Sequence, residues 1–522
     1  MRLVDVETLR GWIGDGGELA ILDAREEGEF GVSHLFWAVP CPLSRAELRA
    51  PALLPCRATR IACVDDGRGL AQKLAAHLET EGYTGVHVLE GGTKTWHAAG
   101  HVLFSGVNVP SKAFGEWVEH HYGTQSLDPA ELQALIAGGR DMVVLDSRTA
   151  EEFARMTIPT AVSVPGGELA YRIGDIAPDP NTLVVVNCAG RTRSILGAES
   201  LRRAGIPNQV FALRNGTMGW ELAGLECDRG RADFFSATIP ATVDLAFARA
   251  ENFARETGVG VISAEKLAEF EADSTRTLYV LDVRDPAEFR AGHRPGSVSA
   301  PGGQLVQATD GWIGVRGARI VLLCDTGVRS RMAAAWLRLM GCLSVYVADH
   351  ALAHSAAAIP APAPTPVPTI EAAELKRRVH EPGLMVFDLA RSVEFRHGHI
   401  PGAVWGIRTR LAALASTLKD ARTVVVTSPD SVLARLAVAE LRNLTGAPVR
   451  ALAGGTDAWR AAGGEMAVDR QVPADDECVD FYLRPYDRNT GVEAAMQAYL
   501  SWEIDLVHEI VRDGTVRFGV PG

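Results

Sequence analysis

The sequence predicts an α/β protein assembled from repeated units, and three observations carry that prediction. Residues 184–194 read VVVNCAGRTRS: an apolar run of the buried parallel-strand type, then a short loop with a cysteine and two arginines. A helical face follows, formed by Ile195, Leu196, Ala198 and Leu201. Residues 320–330 read IVLLCDTGVRS, which repeats the order strand, cysteine, glycine, arginine, serine. Each cysteine also follows a D-x-R element at one distance: Cys188 lies 42 residues after Asp146, and Cys324 lies 42 after Asp282. A duplicated domain produces that agreement directly.

A chain of 522 residues exceeds a single core and suggests about three to five domains. A hydrophobic content of 47% with 22% charged residues is that of an ordinary soluble globular protein. The net charge of −12 argues against nucleic acid or an anionic membrane as partner. The opening MRLVDVETLRGWIGDGGE is too charged for a signal peptide, and no apolar run approaches the ~18 residues of a membrane span. Eight cysteines without a CxxC pair or metal-ligand spacing imply no metal, no cofactor and no disulfide framework. A reducing cytoplasm is the expected location.

Taken in order, the first unit opens at Leu3 and has Asp23-Ala24-Arg25 at the end of ELAILDAR. Forty-two residues after Asp23 stands Asp65 rather than a cysteine. Cys63, two residues earlier in the strand, is expected to be a buried bystander, as are Cys41 and Cys56. GGTKTW closes the unit, and FGEWVEHHY is read as a connecting helix. The second unit starts near Asp128, contains Cys188 and closes with NGTMGW; VDLAFARAENFARETG is a second connector. The third begins near Val261, holds Cys324, and reads ADHALAHS where the G-T-x-x-W closure belongs. IPAPAPTPVP is a semi-rigid spacer. The fourth has Asp388 and Arg391, then HGHIPGA and GGTDAW, with Thr427 or Ser428 at the landmark position. In the tail, Met496, Leu500, Ile504, Val507 and Val511 form one apolar stripe, read as packing across the repeats. The expected boundaries are 1–110, 124–232, 258–358, a linker at 359–368, 369–470 and a helical tail at 471–522.

A cysteine between a strand's carboxyl end and a helix N-terminus meets converging N–H groups and the positive end of the helix dipole. Both favour thiolate, and nearby arginines act in the same sense. Cys188 is therefore the leading candidate nucleophile, with Gly190, Arg191, Arg193 and Ser194 around an anionic donor and Ser194 as helix N-cap. Cys324 with Gly327, Arg329 and Ser330 is the second candidate, handicapped by the anion of Asp325 beside it. PGGEL precedes Cys188 by 23 residues and PGGQL precedes Cys324 by 23. Two readings stand for these turns. Gly166, Gly167, Gly302 and Gly303 line the donor pocket with backbone N–H groups, or the two middle units share an inherited tight turn. The D-x-R pairs occur in every unit and are read as structural, and Trp96, Trp220 and Trp459 as core anchors.

The ordered set D-x-R, E-F/Y-x-x-G-H-x-P-G-A, C-x-x-x-x-R and G-G-x-x-x-W resembles the rhodanese sulfurtransferase family. The fullest matches are DVRDPAEFRAGHRPGSV at 282–298 and VEFRHGHIPGAV at 393–404. The resemblance implies four tandem rhodanese-like domains, each a small parallel sheet flanked by helices. It also implies a cysteine persulfide that takes sulfane sulfur from thiosulfate, mercaptopyruvate or another persulfide. The acceptor is a thiol, a thioredoxin-like or other thiol protein, or cyanide. Asp65 and Thr427 at the nucleophile position mark the first and fourth units as inactive, and MTIPTA replaces GHIPGA in the second. Two other classes stand beside this one. A phosphatase or arsenate reductase needs arginine six residues after the cysteine, where Ser194 or Ser330 stands. A carrier, sensor or scaffold would hold sulfur without turning it over.

Overall fold

The computed structural model describes residues 1–235, 238–348 and 366–519. Their strands form four five-stranded sheets of one topology: the first strand at an edge, then the fifth, fourth, second and third. Every pairing is parallel. In the second unit the strands are Ser126–Leu127, Met142–Asp146, Val162–Ser163, Leu183–Asn187 and Val210–Leu213. The fourth strand is buried along its whole length because helices cover both faces, which is why it reads as unbroken valine. The expected connectors are the helices Val109–Tyr122 and Val243–Glu256. Most of the proline spacer and of the ADHALAHS segment lies outside the described residues.

Register identifies the equivalent loop positions. Asp23, Asp146, Asp282 and Asp388 pair with Val64, Asn187, Leu323 and Thr427 on the neighbouring strand. The next residues are Asp65, Cys188, Cys324 and Ser428. The landmark of the fourth unit is thus Ser428, not Thr427; that unit is two residues shorter between its two strands, which displaced the count.

The D-x-R element is a buried bidentate clamp in three units. Arg25, Arg148 and Arg284 each place Nε and Nη2 on the two carboxylate oxygens of Asp23, Asp146 and Asp282, at 2.6–2.9 Å. Nη2 also reaches a main-chain oxygen eight residues on, at Ser33, Met156 or Gly292, and so shapes the turn that follows. The fourth unit departs from the expectation. Its arginine stands one residue too late, and Arg391 pairs with Glu27 at the surface. Among the described residues Asp388 has no arginine partner, and burial pushes its carboxyl up to about 6.

Trp96, Trp220 and Trp459 are core anchors as expected: each is buried and donates its indole N–H to the carbonyl six residues on. In the first, third and fourth units a histidine (His34, His293, His399) stacks on the phenylalanine four residues before it. The second unit has Thr157 there, whose hydroxyl donates to Asp146 at 2.8 Å. Three residues later Thr160 adopts φ +70°, in the turn where Gly296 and Gly402 stand in the third and fourth units. A β-branched residue in that region is strained.

The units are not beads on a string. One apolar cluster runs through the first three. Leu19 and Arg316 exchange main-chain bonds between the first and third. Arg408 of the fourth unit grips Glu47 of the first at 2.7 and 2.8 Å.

Two stability outcomes follow from these contacts. Thr160→Gly relieves the left-handed backbone and raises unfolding free energy by about 0.5–1 kcal/mol, after the glycine entropy term is subtracted; no gain in thermal denaturation would disprove the strain. Arg148→Met leaves the Asp146 carboxylate buried without its cation and lowers stability by about 3 kcal/mol or more in urea titrations.

Candidate active sites

Cys188 is the first residue past strand Leu183–Asn187, is 2% exposed, and faces the start of helix Thr192–Arg203. Its thiol donates to Ser194 Oγ at 3.5 Å, and Ser194 Oγ donates to the Arg191 carbonyl at 2.8 Å. Ser194 is therefore inside the first helical turn and touches the sulfur, whereas Arg191 occupies the cap position. Arg191 does not face a donor as expected. Its guanidinium is turned to the connector helix, where it makes bonds of 2.8 and 2.7 Å to Glu116, a contact to Glu119 and a 3.3 Å bond to Asn215. Burial pushes the Glu116 carboxyl up to about 7 against that attraction. Arg193 is bidentate to Glu152 at 2.7 and 2.8 Å. Burial opposes ionisation of Glu152, but the charge and bonds of Arg193 outweigh it and hold the carboxyl well below the usual range.

The third unit repeats the plan with different charges. Cys324 follows strand Arg319–Leu323, and Gly327 caps helix Val328–Leu339 at φ 75°. Ser330 mirrors Ser194 by donating to the carbonyl three residues back, at 3.1 Å. The Cys324 thiol donates to Asp325 Oδ1 at 3.3 Å and lies 3.7 Å from Thr326 Oγ1. The carboxylate of Asp325 thus faces the sulfur, and Arg329 holds it there at 2.7 Å. Arg329 is fully enclosed, with Glu288 at 2.5 and 3.1 Å and Glu168 of the second unit at 2.8 Å. Glu152 and Glu288, the glutamates of the E-F/Y motif, fix the two loop arginines, a role the sequence reading did not assign. Their signal was the capping box Thr149–Glu152 and Asp285–Glu288 on the short helix after each D-x-R.

The other two units fill the same loop from within. Asp65 accepts from the N–H groups of Gly67, Leu70 and Ala71 at 2.8, 2.7 and 3.3 Å, so its carboxylate sits on the N-terminus of helix Leu70–Thr80. Ser428 Oγ accepts from Ala434 N–H at 3.2 Å. The first unit's cysteines are buried, as expected. Burial pushes Cys41 up to about 12 and Cys63 well above a normal thiol, and Cys56 donates to the Ser274 carbonyl.

The Pro-Gly-Gly turns have a role the sequence did not show. They press against each other between the second and third units: a Cβ on Gly167 would lie 2.9 Å from Gly303 N, and one on Gly303 would lie 2.6 Å from Gly167 N. Gly166, Gly167, Gly302 and Gly303 line a small cavity of about 40 Å³ with Arg193 and Arg329, and neither cysteine is among its lining residues. The turns therefore join two domains.

The C-terminal helix Val492–Asp513 lies over the Cys188 loop. A Cβ on Gly190 would meet Glu503 Oε2 at 3.1 Å and the Tyr499 ring at 3.3 Å. Glu503 Oε1 accepts from Lys112 and Thr192, both at 3.1 Å, and Met496 and Leu500 pack on Met218. The buried face is Met496, Leu500, Glu503, Leu506 and Ile510. Ile504 and Val511 of the expected stripe are 45% and 75% exposed, because the acid Glu503 turns the helix away from a purely apolar contact. Among the described residues, no helix is long and apolar enough to cross a membrane.

Asp65→Ala removes the acceptor for three N–H groups and lowers stability by about 1–3 kcal/mol. The emptied loop then takes up sulfate, seen as a larger sulfate-dependent rise in melting temperature than in the unaltered protein; an equal rise would refute the reading of Asp65 as an internal anion.

The rhodanese-like domain model matches residues 5–99, 128–223, 263–353 and 371–462. The crystal structure of a thiosulfate sulfurtransferase from Pseudomonas aeruginosa superposes with a TM-score of 0.94 at 44% identity, covering 100% of both chains. A sulfurtransferase of Allochromatium vinosum is 30% identical over 99 residues, 19% of this chain and 90% of that protein. With a match on each of its four sheets and a cysteine loop on two of them, the chain belongs to the rhodanese family.

Proposed function

We propose that the protein moves sulfane sulfur from thiosulfate or a related donor to a thiol or cyanide, through persulfides on Cys188 and Cys324. The observation that supports this most is the setting of both thiols: each leaves a buried strand, meets a helix N-terminus, and has a hydroxyl or carboxylate acceptor within hydrogen-bond range. In the first step the thiolate attacks the outer sulfur of thiosulfate. The donor's S–S bond breaks, its electron pair leaves on sulfite, and a cysteine persulfide forms. In the second step cyanide or an acceptor thiolate attacks the outer persulfide sulfur, and thiocyanate or an acceptor persulfide leaves with the cysteine thiolate restored. Loop N–H groups and the helix dipole stabilise the anions of both steps. Ser194 and Asp325 accept the thiol hydrogen bond, while Arg193 and Arg329 fix the loops and add positive potential. A small thiol, or a thioredoxin-like protein in a reducing cytoplasm, suits this chemistry as acceptor.

Intact-mass measurement after thiosulfate treatment reads the intermediate. The unaltered protein gains up to two sulfur atoms, Cys188→Ser and Cys324→Ser each at most one, and the double variant none. Thiosulfate:cyanide turnover in the double variant falls by at least about a hundredfold. Retained turnover there would move the chemistry elsewhere; no sulfur gain in the unaltered protein would favour a scaffold.

A further inference from the structure

The contact between the Pro-Gly-Gly turns carries a side chain of one domain into the site of another. Glu168, from PGGEL of the second unit, is buried and accepts from Arg329 Nη1 of the third unit at 2.8 Å. Its other oxygen accepts from Arg172 Nε at 2.7 Å. The ring of Tyr171, also from the second unit, lies under the Arg329 guanidinium with its centroid 4.7 Å away. Arg329 thus faces three carboxylates: Glu288 and Asp325 from its own domain and Glu168 from its neighbour. Arg284, another cation of the third unit, is committed to Asp282. Arg329 Nε has no partner among the described residues, and Arg329 lines the cavity between the two domains.

The arrangement is one-sided. PGGQL places Gln304 where PGGEL has Glu168, and the Gln304 amide oxygen accepts from Gln307. Arg193 pairs with Glu152 of its own domain, and no third-unit carboxylate reaches it among the described residues. The second unit therefore places a carboxylate directly on the third unit's arginine, with Arg172 of its own domain on that carboxylate's far oxygen, and receives no such carboxylate in return.

We propose that Glu168 is a specificity-determining residue for Cys324, acting from the neighbouring domain by screening Arg329 so that dianionic sulfur donors are disfavoured against less charged ones. This rests on the persulfide chemistry given above. A buried carboxylate is little screened by salt, so its effect on a donor scales with the donor's charge. Thiosulfate carries two charges and an organic thiosulfonate one. Both deliver the same outer sulfur to a thiolate, with sulfite or a sulfinate leaving.

Glu168→Gln keeps an acceptor oxygen for Arg329 and removes the charge. In a Cys188→Ser background, kcat/KM for thiosulfate rises roughly three- to tenfold through KM, and that for methanethiosulfonate rises less. In a Cys324→Ser background neither changes, which separates a charge effect from a folding defect, since Glu168 belongs to the second unit. A readout independent of sulfur transfer is alkylation of Cys324, resolved by peptide, with anionic iodoacetate against neutral iodoacetamide. Their rate ratio rises by roughly the same factor in Glu168→Gln. An unchanged ratio, or equal changes in both cysteine backgrounds, overturns the role of Glu168. A raised ratio without sulfur uptake from thiosulfate would overturn the persulfide reading instead.

Discussion

Each of the four sheets ends its fourth strand beneath a helix N-terminus, and that terminus needs an electron-rich group. Its free N–H groups and positive dipole end are costly to bury unfilled. The chain meets the demand in three ways. Asp65 fills it with a fixed carboxylate, Ser428 with a neutral hydroxyl, and Cys188 and Cys324 place there a thiol that donates to Ser194 or Asp325. The same constraint thus bears on the units with a cysteine and on those without one. A carboxylate already bonded to three N–H groups leaves no place for a second anion, whereas a thiol leaves the loop open to one.

What holds the loop in place is a second layer of charge. The Asp–Arg clamps fix the end of the neighbouring strand, and the capping-box acids Glu152 and Glu288 grip the loop arginines from the adjoining helix. The clamps are buried, the loop pairs are half-buried at their glutamates, and all are bidentate, so they set geometry more than they add net stability. The fourth unit shows the effect of losing the clamp: Asp388 is left without an arginine partner among the described residues, and its carboxyl rises to about 6.

Duplication gave the two cysteine loops one plan, and their surroundings have since diverged. The Cys188 loop lies beneath the C-terminal helix, with Glu503 against Gly190, and its Arg191 is tied to the connector helix. The Cys324 loop carries Asp325 on the sulfur and borrows Glu168 from next door. Two sites of one ancestry are therefore electrostatically distinct, and the difference comes in part from the loop itself, at Asp325, and in part from elements outside each site's own domain.

The sequence by itself determined whatever depends on short range and periodicity. Unbroken apolar strands, the 42-residue spacing, the D-x-R pairs, the closing tryptophans and both cysteines are local patterns, and the parallel sheets follow from them. It left Thr427 and Ser428 both open where a unit's length differed, and it counted Arg391 in a motif from which that arginine had slipped by one residue. Only the tertiary structure decided which partner each charge takes. Arg191 and Arg193 stand two residues apart and read alike, yet one turns to Glu116 and the other to Glu152. The Pro-Gly-Gly turns look like pocket linings until two glycines meet across a domain boundary, and the tail's face turns on one buried acid, Glu503. A long side chain is free to choose among several opposite charges. That choice rests on which element packs beside it, a relation between residues tens to hundreds of positions apart that no local pattern encodes.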